Sequence, residues 1–463
     1  MTRMQDAKNG RVTQEMRCVA RAEGVPVEKI VRGLASGRNI IIKNAVAKRD
    51  VRPVGAGEGL HVKINANIGT SRDCASLEEE IGKLRVLEKY GADLFMDLST
   101  GGDLDAIRSA LLKESHIPLG TVPIYQAIEE ALERKHSMLA MTEDDLFNAI
   151  EKQLKQGVDF LTVHVGVHEG LLPKFKQLPP RVTGVVSRGG SFTLAWMERH
   201  GRDNPLHENF DYLLDLAREF DCALSLGDGM RPGCGADCLD FFQVEELKEL
   251  GKLAKKAREA NVQVMIEGPG HVPLHRIKEN VDLEKILCDG APFYILGMLV
   301  TDVGASHDHI TGAIGGAVAG WYGADVLCYL TPAEHLALPT VEDVKEGTIA
   351  FKIAAHAADL TRFEDSRQRD FKMSVARHAL DWETQYALSV APDEARKIRE
   401  ARMPKGLQTC SMCGELCAMA ISGKITGAFC PEEIKAPEGE GNSVDVKAKR
   451  VRGKREKILS PPE

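Results

Sequence analysis

The feature that most constrains this chain is an alternation. Short apolar runs recur between residues 61 and 330, and amphipathic helical runs separate them. The strand candidates are 61–68 (HVKINANI), 93–98 (DLFMDL), 117–124 (IPLGTVPI), 159–165 (DFLTVHV), 182–187 (VTGVVS), 222–227 (CALSLG), 262–267 (VQVMIE), 292–298 (PFYILGM) and 325–330 (DVLCYL). Helical patterns between them include 76–90, 208–219 and 244–260. Strands that are apolar throughout need cover on both faces, and helices between parallel strands provide it, so the alternation predicts a parallel α/β fold. Eight such units close a (β/α)8 barrel of about 250 residues. Nine candidates are one too many, so one is expected to flank the barrel. A doubly wound open sheet is the alternative, but it would gather functional side chains at its switch point. Here they follow strand after strand: Asn65 and Asn67, Met96 and Asp97, Tyr125, His164, Ser187-Arg188-Gly189, Asp228-Gly229-Met230-Arg231, Glu267 to His271, and Tyr294. That distribution suits a closed barrel with one mouth.

The organisation expected is an N-terminal helical segment (1–60), the barrel (61–340), a helical C-terminal region (341–405), a cysteine-bearing segment (406–430) and a tail (431–463). Helical patterns in the C-terminal region fall at 341–358, 372–388 and 392–402. The tail ends in a basic run, 447–457, read as a solvated, disordered end and not as a nucleic-acid contact. Lys plus Arg number 60 against 68 Asp plus Glu, a net charge of −8, which argues against a dedicated nucleic-acid binder. Hydrophobic residues at 43% and charged residues at 28% exclude a mostly disordered or collagen-like chain. The N-terminus has no apolar signal core and no run of about 20 apolar residues occurs, so a cytoplasmic protein without a membrane span is expected.

Three constellations carry chemistry. The first is Cys410-Ser-Met-Cys413-Gly-Glu-Leu-Cys417, three of 11 cysteines within eight residues. In a reducing compartment such clusters are metal sites more often than disulfides. Three thiolates suit a [4Fe–4S] cluster with one open iron, which can bind S-adenosylmethionine and reduce it to a 5′-deoxyadenosyl radical. With Cys430 as fourth ligand they equally suit structural zinc. Spacing leaves both open, with unliganded thiols as a third reading. The second constellation is histidine-based: His271 at a strand end, His275, His307-Asp308-His309 and His335, which at one mouth could bind a divalent metal or act as acid and base. The third is anion recognition. Ser187-Arg188-Gly189-Gly190 precedes a helix and Asp228 to Arg231 follows a strand. Amides at a helix start together with arginines make a phosphate or carboxylate site, although either motif alone could be a plain turn.

Taken together, KINANIGTS (63–71), MDLSTGGDL (96–104), GTVPIYQA (120–127), VSRGGS (186–191), SLGDGMRPG (225–233), VQVMIEGPGHVPLH (262–275), APFYILG (291–297), LCYLTPAEHLALP (327–339) and KIAAHAADL (352–360) resemble the phosphomethylpyrimidine synthase family, over about residues 60 to 420. The resemblance implies a non-classical radical S-adenosylmethionine enzyme: a (β/α)8 barrel, a helical C-terminal region and a flexible cluster segment, in a homodimer where one chain's cluster reaches the partner's barrel. It implies 5-aminoimidazole ribotide as substrate, with Asn67, Met96, Tyr125, His164, Ser187, Arg188, Gly189, Asp228, Gly229, Met230, Arg231, Glu267 and Tyr294 at substrate-binding positions. It implies His271 and His335 as ligands of zinc or another divalent ion, and Cys410, Cys413 and Cys417 as ligands of the [4Fe–4S] cluster. An electron donor of flavodoxin or ferredoxin type is expected to reduce that cluster.

The chain departs from the family pattern in places. A run resembling GPLTTD then APGYDH is here Gly297-Met-Leu-Val-Thr-Asp302 then Gly304-Ala-Ser-His307-Asp308-His309. The cysteine spacing is one residue shorter than usual, and IIIKNAVAKRD replaces a pattern resembling IPANxNH. With Met298 and His307 expected beside the pocket, the first reading of the product is 5-hydroxybenzimidazole, for the cobalamin lower ligand. The alternative is the phosphorylated hydroxymethylpyrimidine of thiamin. A zinc-binding scaffold and a hydrolytic zinc barrel are the readings from other classes.

Overall fold

A computed structural model of the protein describes residues 1–47, 49–403 and 408–426. Its strands are β1 (Asn39–Ile42), β2 (Val54–Gly57), β3 (Lys63–Ile68), β4 (Leu94–Asp97), β5 (Leu119–Thr121), β6 (Phe160–Val163), β7 (Ala223–Leu226), β8 (Val264–Gly268), β9 (Phe293–Leu296) and β10 (Val326–Cys328). The strands β3 to β10 form a closed parallel barrel in the order β10-β3-β4-β5-β6-β7-β8-β9. The seam is closed by β10 against β3, pairing Val326 with Lys63, Leu327 with Ile64 and Cys328 with Asn65. The (β/α)8 expectation therefore holds. Strands β4 to β7 are buried at every position, as strands covered on both faces must be.

Two sequence expectations need correction. The candidate 182–187 is not a strand. It follows Pro179-Pro180, turns at Gly184 with φ +67°, and leaves Val182 74% exposed. Its Val182 and Thr183 amides donate to Asp237 and to no strand. Conversely, residues 1–60 are not only helical. Helices Arg3–Lys8, Gln14–Ala22 and Val27–Ser36 are followed by the antiparallel hairpin β1–β2. Ile40-Ile41-Ile42 is a β-branched run with no helical period, so this signal was present.

The hairpin and the residues after it cover the N-terminal end of the barrel. The Ile41 amide donates to Gln263 Oε1 at 2.7 Å, the Asn44 side-chain amide to the Val158 carbonyl at 3.0 Å, and the Ala45 amide to the Phe220 carbonyl at 3.0 Å. Those partners lie just before β8, β6 and β7. A buried Arg3–Asp221 ion pair at 2.6 Å and an Arg49–Asp159 pair add to the seal. Chemistry is thereby confined to the opposite end.

The chain divides into two compact units, Met1–Thr361 and a second from Arg362 onward. The second contains helices Glu364–His378, Trp382–Leu388, Pro392–Glu400 and Ala418–Thr426. The helix expected over 372–388 is broken around Leu380, which has φ +55°. Among the described residues, no helix is long and apolar enough to cross a membrane.

Packing inside the barrel relies on absent side chains. The Phe160 ring lies across the face of Gly120, its register partner, and the Phe293 ring lies across Gly268. Gly120→Ala should destabilise the protein by about 1–3 kcal/mol through overpacking. Gly82→Ala, in the interior of the helix Leu77–Lys89 where a Cβ meets Val341 Cγ2 at 3.4 Å, should change stability by no more than about 1 kcal/mol, toward stabilisation. Urea unfolding of both variants checks the contrast, and equal behaviour would refute it.

Candidate active site

Two loops at the C-terminal ends of the strands pack on one histidine. Ser187 caps the helix Arg188–His200 and its Oγ accepts the Gly190 amide at 3.2 Å. The Arg188 guanidinium stands over the Tyr125 ring, 4.9 Å from its centre. A side chain at Gly189 would overlap the His164 imidazole, and one at Gly190 would overlap the Gly229 carbonyl, so the loops 187–190 and 228–231 meet only because both are glycine-lined. Burial pushes the His164 pKa down to about 4, with Arg231 acting the same way and Glu267 opposing, and its Nδ1 has no partner. The imidazole is neutral at physiological pH.

In the second loop, Arg231 Nη1 donates to Asp228 Oδ1 at 3.0 Å, and the Asp228 amide donates to Glu267 Oε2 at 3.1 Å. Burial drives the Asp228 carboxyl well above its ordinary value, against the pull of Arg231. Beneath the loop, Glu246 Oε2 accepts the Met230 amide at 2.7 Å; burial pushes this carboxyl up to about 8. Helix-start amides, two arginines and a neutral imidazole form a cradle for an oxyanion.

The other side of the mouth is a hydrogen-bonded web. Asn65 Nδ2 donates to Tyr294 Oη at 2.7 Å and to Asn67 Oδ1 at 2.9 Å, while Asn67 Nδ2 reaches Cys328 Sγ at 3.0 Å. Tyr294 Oη lies 3.6 Å from Met96 Sδ. Above the web, a cavity of about 390 Å³ is lined by Asn67, Arg188 and His335 together with Lys83, Tyr329 and Glu334. Asp97 turns away to accept the Ser99 amide. Sequence reading missed Lys83, Glu246 and Cys328. Lys83 is buried against Glu80 at 2.7 Å, yet it sits in a charged helical run whose pattern looks solvent-facing.

His271 and His335 come together, with ring centres 5.3 Å apart. Each has its Nδ1 held by a carboxylate, His271 by Asp302 at 2.8 Å and His335 by Asp308 at 3.1 Å. That arrangement fixes both tautomers and frees both Nε2 atoms, which fits a divalent ion. His275 is exposed and His307 pairs with Ser306, so neither joins them. Among the described residues, no group of three or more ligating side chains is preassembled.

In the second unit, Cys410 is half-buried, Cys413 exposed and Cys417 buried, and all are free thiols. The Met412 and Cys413 amides lower the Cys410 pKa, favouring the thiolate. The chain folds back between them, with the Gly414 amide on the Cys410 carbonyl and the Leu416 amide on the Cys413 carbonyl, each at 3.0 Å. The three thiols lie within eight residues without being gathered into one preformed site, and as thiolates they suit an iron–sulfur cluster with an open corner. Cys430, the fourth ligand of the zinc reading, lies outside the described residues, as does the basic tail.

A family model described as the radical SAM ThiC family matches residues 2–424. The chain belongs to that family. It is similar to the phosphomethylpyrimidine synthase of Dehalococcoides mccartyi (strain CBDB1), 54% identical over 92% of this chain and 99% of that protein. The phosphomethylpyrimidine synthase of Pyrococcus abyssi is 53% identical over 91% and 97%, and phosphomethylpyrimidine synthase 1 of Methanosarcina mazei is 54% identical over 94% and 100%. Among solved structures, a dihydropteroate synthase from Thermus thermophilus matches 68% of this chain and 98% of its own at 12% identity, with a TM-score of 0.39, too low to carry an argument.

Membership in the radical SAM ThiC family makes this an enzyme using a [4Fe–4S] cluster and S-adenosylmethionine, and removes the scaffold and hydrolytic readings. The first reading of the product is overturned as well, since these relatives bear the name of the alternative. The structure also places the two residues on which that first reading leaned. Met298 is fully buried with its carbonyl against Gly315, His307 is exposed beside Ser306, and neither lines the cavity.

The His164 environment yields a pH prediction. The unfolded chain takes up a proton near 6.5 that the folded chain takes up only near 4. The unfolded state thus holds more protons between those values, so stability rises with pH across about 4 to 6.5 and this contribution is flat outside that window. His164→Asn should lose this part of the slope in urea unfolding at stepped pH. An unchanged slope would place its origin elsewhere.

Proposed function

We propose that this enzyme converts 5-aminoimidazole ribotide to 4-amino-5-hydroxymethyl-2-methylpyrimidine phosphate, as a phosphomethylpyrimidine synthase. The observation that carries the reading is the oxyanion cradle around His164, in a chain more than half identical to relatives of that name. Cys410, Cys413 and Cys417 hold the cluster, which when bound supplies the electron that cleaves S-adenosylmethionine to a 5′-deoxyadenosyl radical. A flavodoxin- or ferredoxin-type donor delivers that electron, and the working unit is a homodimer.

The residues of the mouth have separate tasks. The amides opening the helix Arg188–His200, with Ser187, Arg188, Gly189 and Arg231, hold the phosphate. Asp228, Gly229 and Met230 form the floor beneath it. Neutral His164 hydrogen-bonds without adding a charge. The second oxygen of Glu267 takes the substrate's amino protons, because the first is occupied by the Asp228 amide. Asn67, Tyr125, Met96 and Tyr294 line the remaining wall and orient the ring. His271 and His335 hold zinc or another divalent ion, their free Nε2 atoms aimed by Asp302 and Asp308.

Anaerobic reconstitution with iron and sulfide, followed by ribotide, S-adenosylmethionine and a reductant, tests this. Wild type should give 5′-deoxyadenosine and a phosphorylated pyrimidine identified by mass spectrometry. Cys417→Ala should give neither. Arg231→Ala should lower kcat/KM for the ribotide by about 100-fold, the loss of a charge-assisted contact worth about 2–3 kcal/mol. Wild type that forms no 5′-deoxyadenosine sinks the proposal.

A further inference from the structure

Arg181 lies beneath the two arginine-bearing loops, and its environment is unusual. Its side chain is 2% exposed, and all five N–H donors of its guanidinium are engaged. Nε donates to Asp240 Oδ2 at 2.7 Å and Nη2 to Asp240 Oδ1 at 3.2 Å, a bidentate fork. The other three donors go to main-chain carbonyls: Nη2 to Met230 at 2.8 Å, and Nη1 to Arg231 at 3.3 Å and Gly184 at 3.1 Å.

These partners define a clamp. Met230 and Arg231 belong to the second anion loop, whereas Gly184 lies three residues before Ser187 of the first. Asp240 caps the helix Phe241–Glu259 and is itself fixed by the Gln243 amide at 2.9 Å. The same helix carries Glu246, which takes the Met230 amide from beneath. The loop is thus held on both sides of one residue, its N–H by a carboxyl group and its C=O by a guanidinium. A lysine could not reproduce this, since its ammonium has three donors and no planar fork.

We propose that Arg181 is a positioning residue that locks the loop Asp228–Arg231 to the loop ending at Ser187, so that Arg231 is presented to the substrate's anionic group at fixed distance from the helix start. The proposal rests on the reading that these two loops bind the substrate. Arg181 touches no reacting atom; it acts through Arg231 and Asp228. Sub-ångström looseness in such a support is enough to cost tenfold or more in function.

The test uses the full-length, reconstituted enzyme under anaerobic conditions. Arg181→Ala should raise KM for the ribotide by about 10- to 100-fold, with a smaller change in kcat and more 5′-deoxyadenosine formed per product. Added guanidinium ion should recover part of the loss in Arg181→Ala and none in Arg181→Lys. Hydrogen–deuterium exchange should quicken at Gly229 to Arg231 and stay unchanged in the barrel strands. If the alanine variant does not fold, Arg181→Lys carries the test, and it must raise KM at least about fivefold. A KM within twofold of wild type, or loss of activity tracking a lowered Tm with no guanidinium rescue, overturns the proposal. Should wild type itself fail with the ribotide, the substrate reading falls, and exchange at Gly229 to Arg231 alone decides the role of Arg181.

Discussion

Val326 with Lys63, Leu327 with Ile64 and Cys328 with Asn65 close the barrel, and the mouth exists only because this seam is parallel. All eight strands then end on one side, and each contributes the next few residues to one rim. Register is pinned at the far end. Asp93 Oδ2 accepts the Ile64 amide at 3.0 Å, Asp159 Oδ2 the Leu119 amide at 2.9 Å and Asp325 Oδ2 the Phe293 amide at 2.9 Å. Each aspartate precedes its own strand and fastens the start of a neighbour. A one-residue slip would turn every side chain to the opposite face and dissolve the mouth, so the bottom of the barrel sets the geometry at the top.

At the top, burial governs charge. Neighbouring groups respond to the same water-poor surroundings in opposite directions: His164 loses its proton, while Glu246 tends to keep its own. Arg231 is held above its ordinary value by Asp228 and Glu267 despite its burial. Arg231 is therefore a cation at the mouth although the chain as a whole carries −8. Local surroundings, and not net charge, set the charges at the mouth.

The parts legible in the sequence were those with a period or a motif. The barrel strands showed as apolar runs, and the loops around Arg188 and Arg231 showed as glycines beside arginine. What escaped depended on the third dimension. The run 182–187 has strand-like residues but no neighbour to pair with, because Arg181 and Asp237 hold it as a loop. Lys83 looks like any surface lysine of an acidic helix until the fold buries it together with Glu80, one turn earlier on the same helix. Ile40-Ile41-Ile42 was the opposite case: the β-branched signal was there, but the polar helical stretch around it concealed a hairpin that seals the barrel.

The product question shows where sequence adjacency misleads. Met298 and His307 flank residues at the mouth, since Asp302 and Asp308 hold His271 and His335. Proximity along the chain suggested an altered pocket. In space, the turn at Met298, with φ +55°, presses its backbone on Gly315 of the helix Asp308–Tyr322, while the two aspartates that follow it reach forward to the mouth. What the mouth needs from this segment is the turn and the two carboxylates. The cavity beside the two histidines is lined by Asn67, Tyr329 and Glu334, and neither Met298 nor His307 is among its lining residues, so a departure from the family pattern next to a site residue need not be a change in the lining.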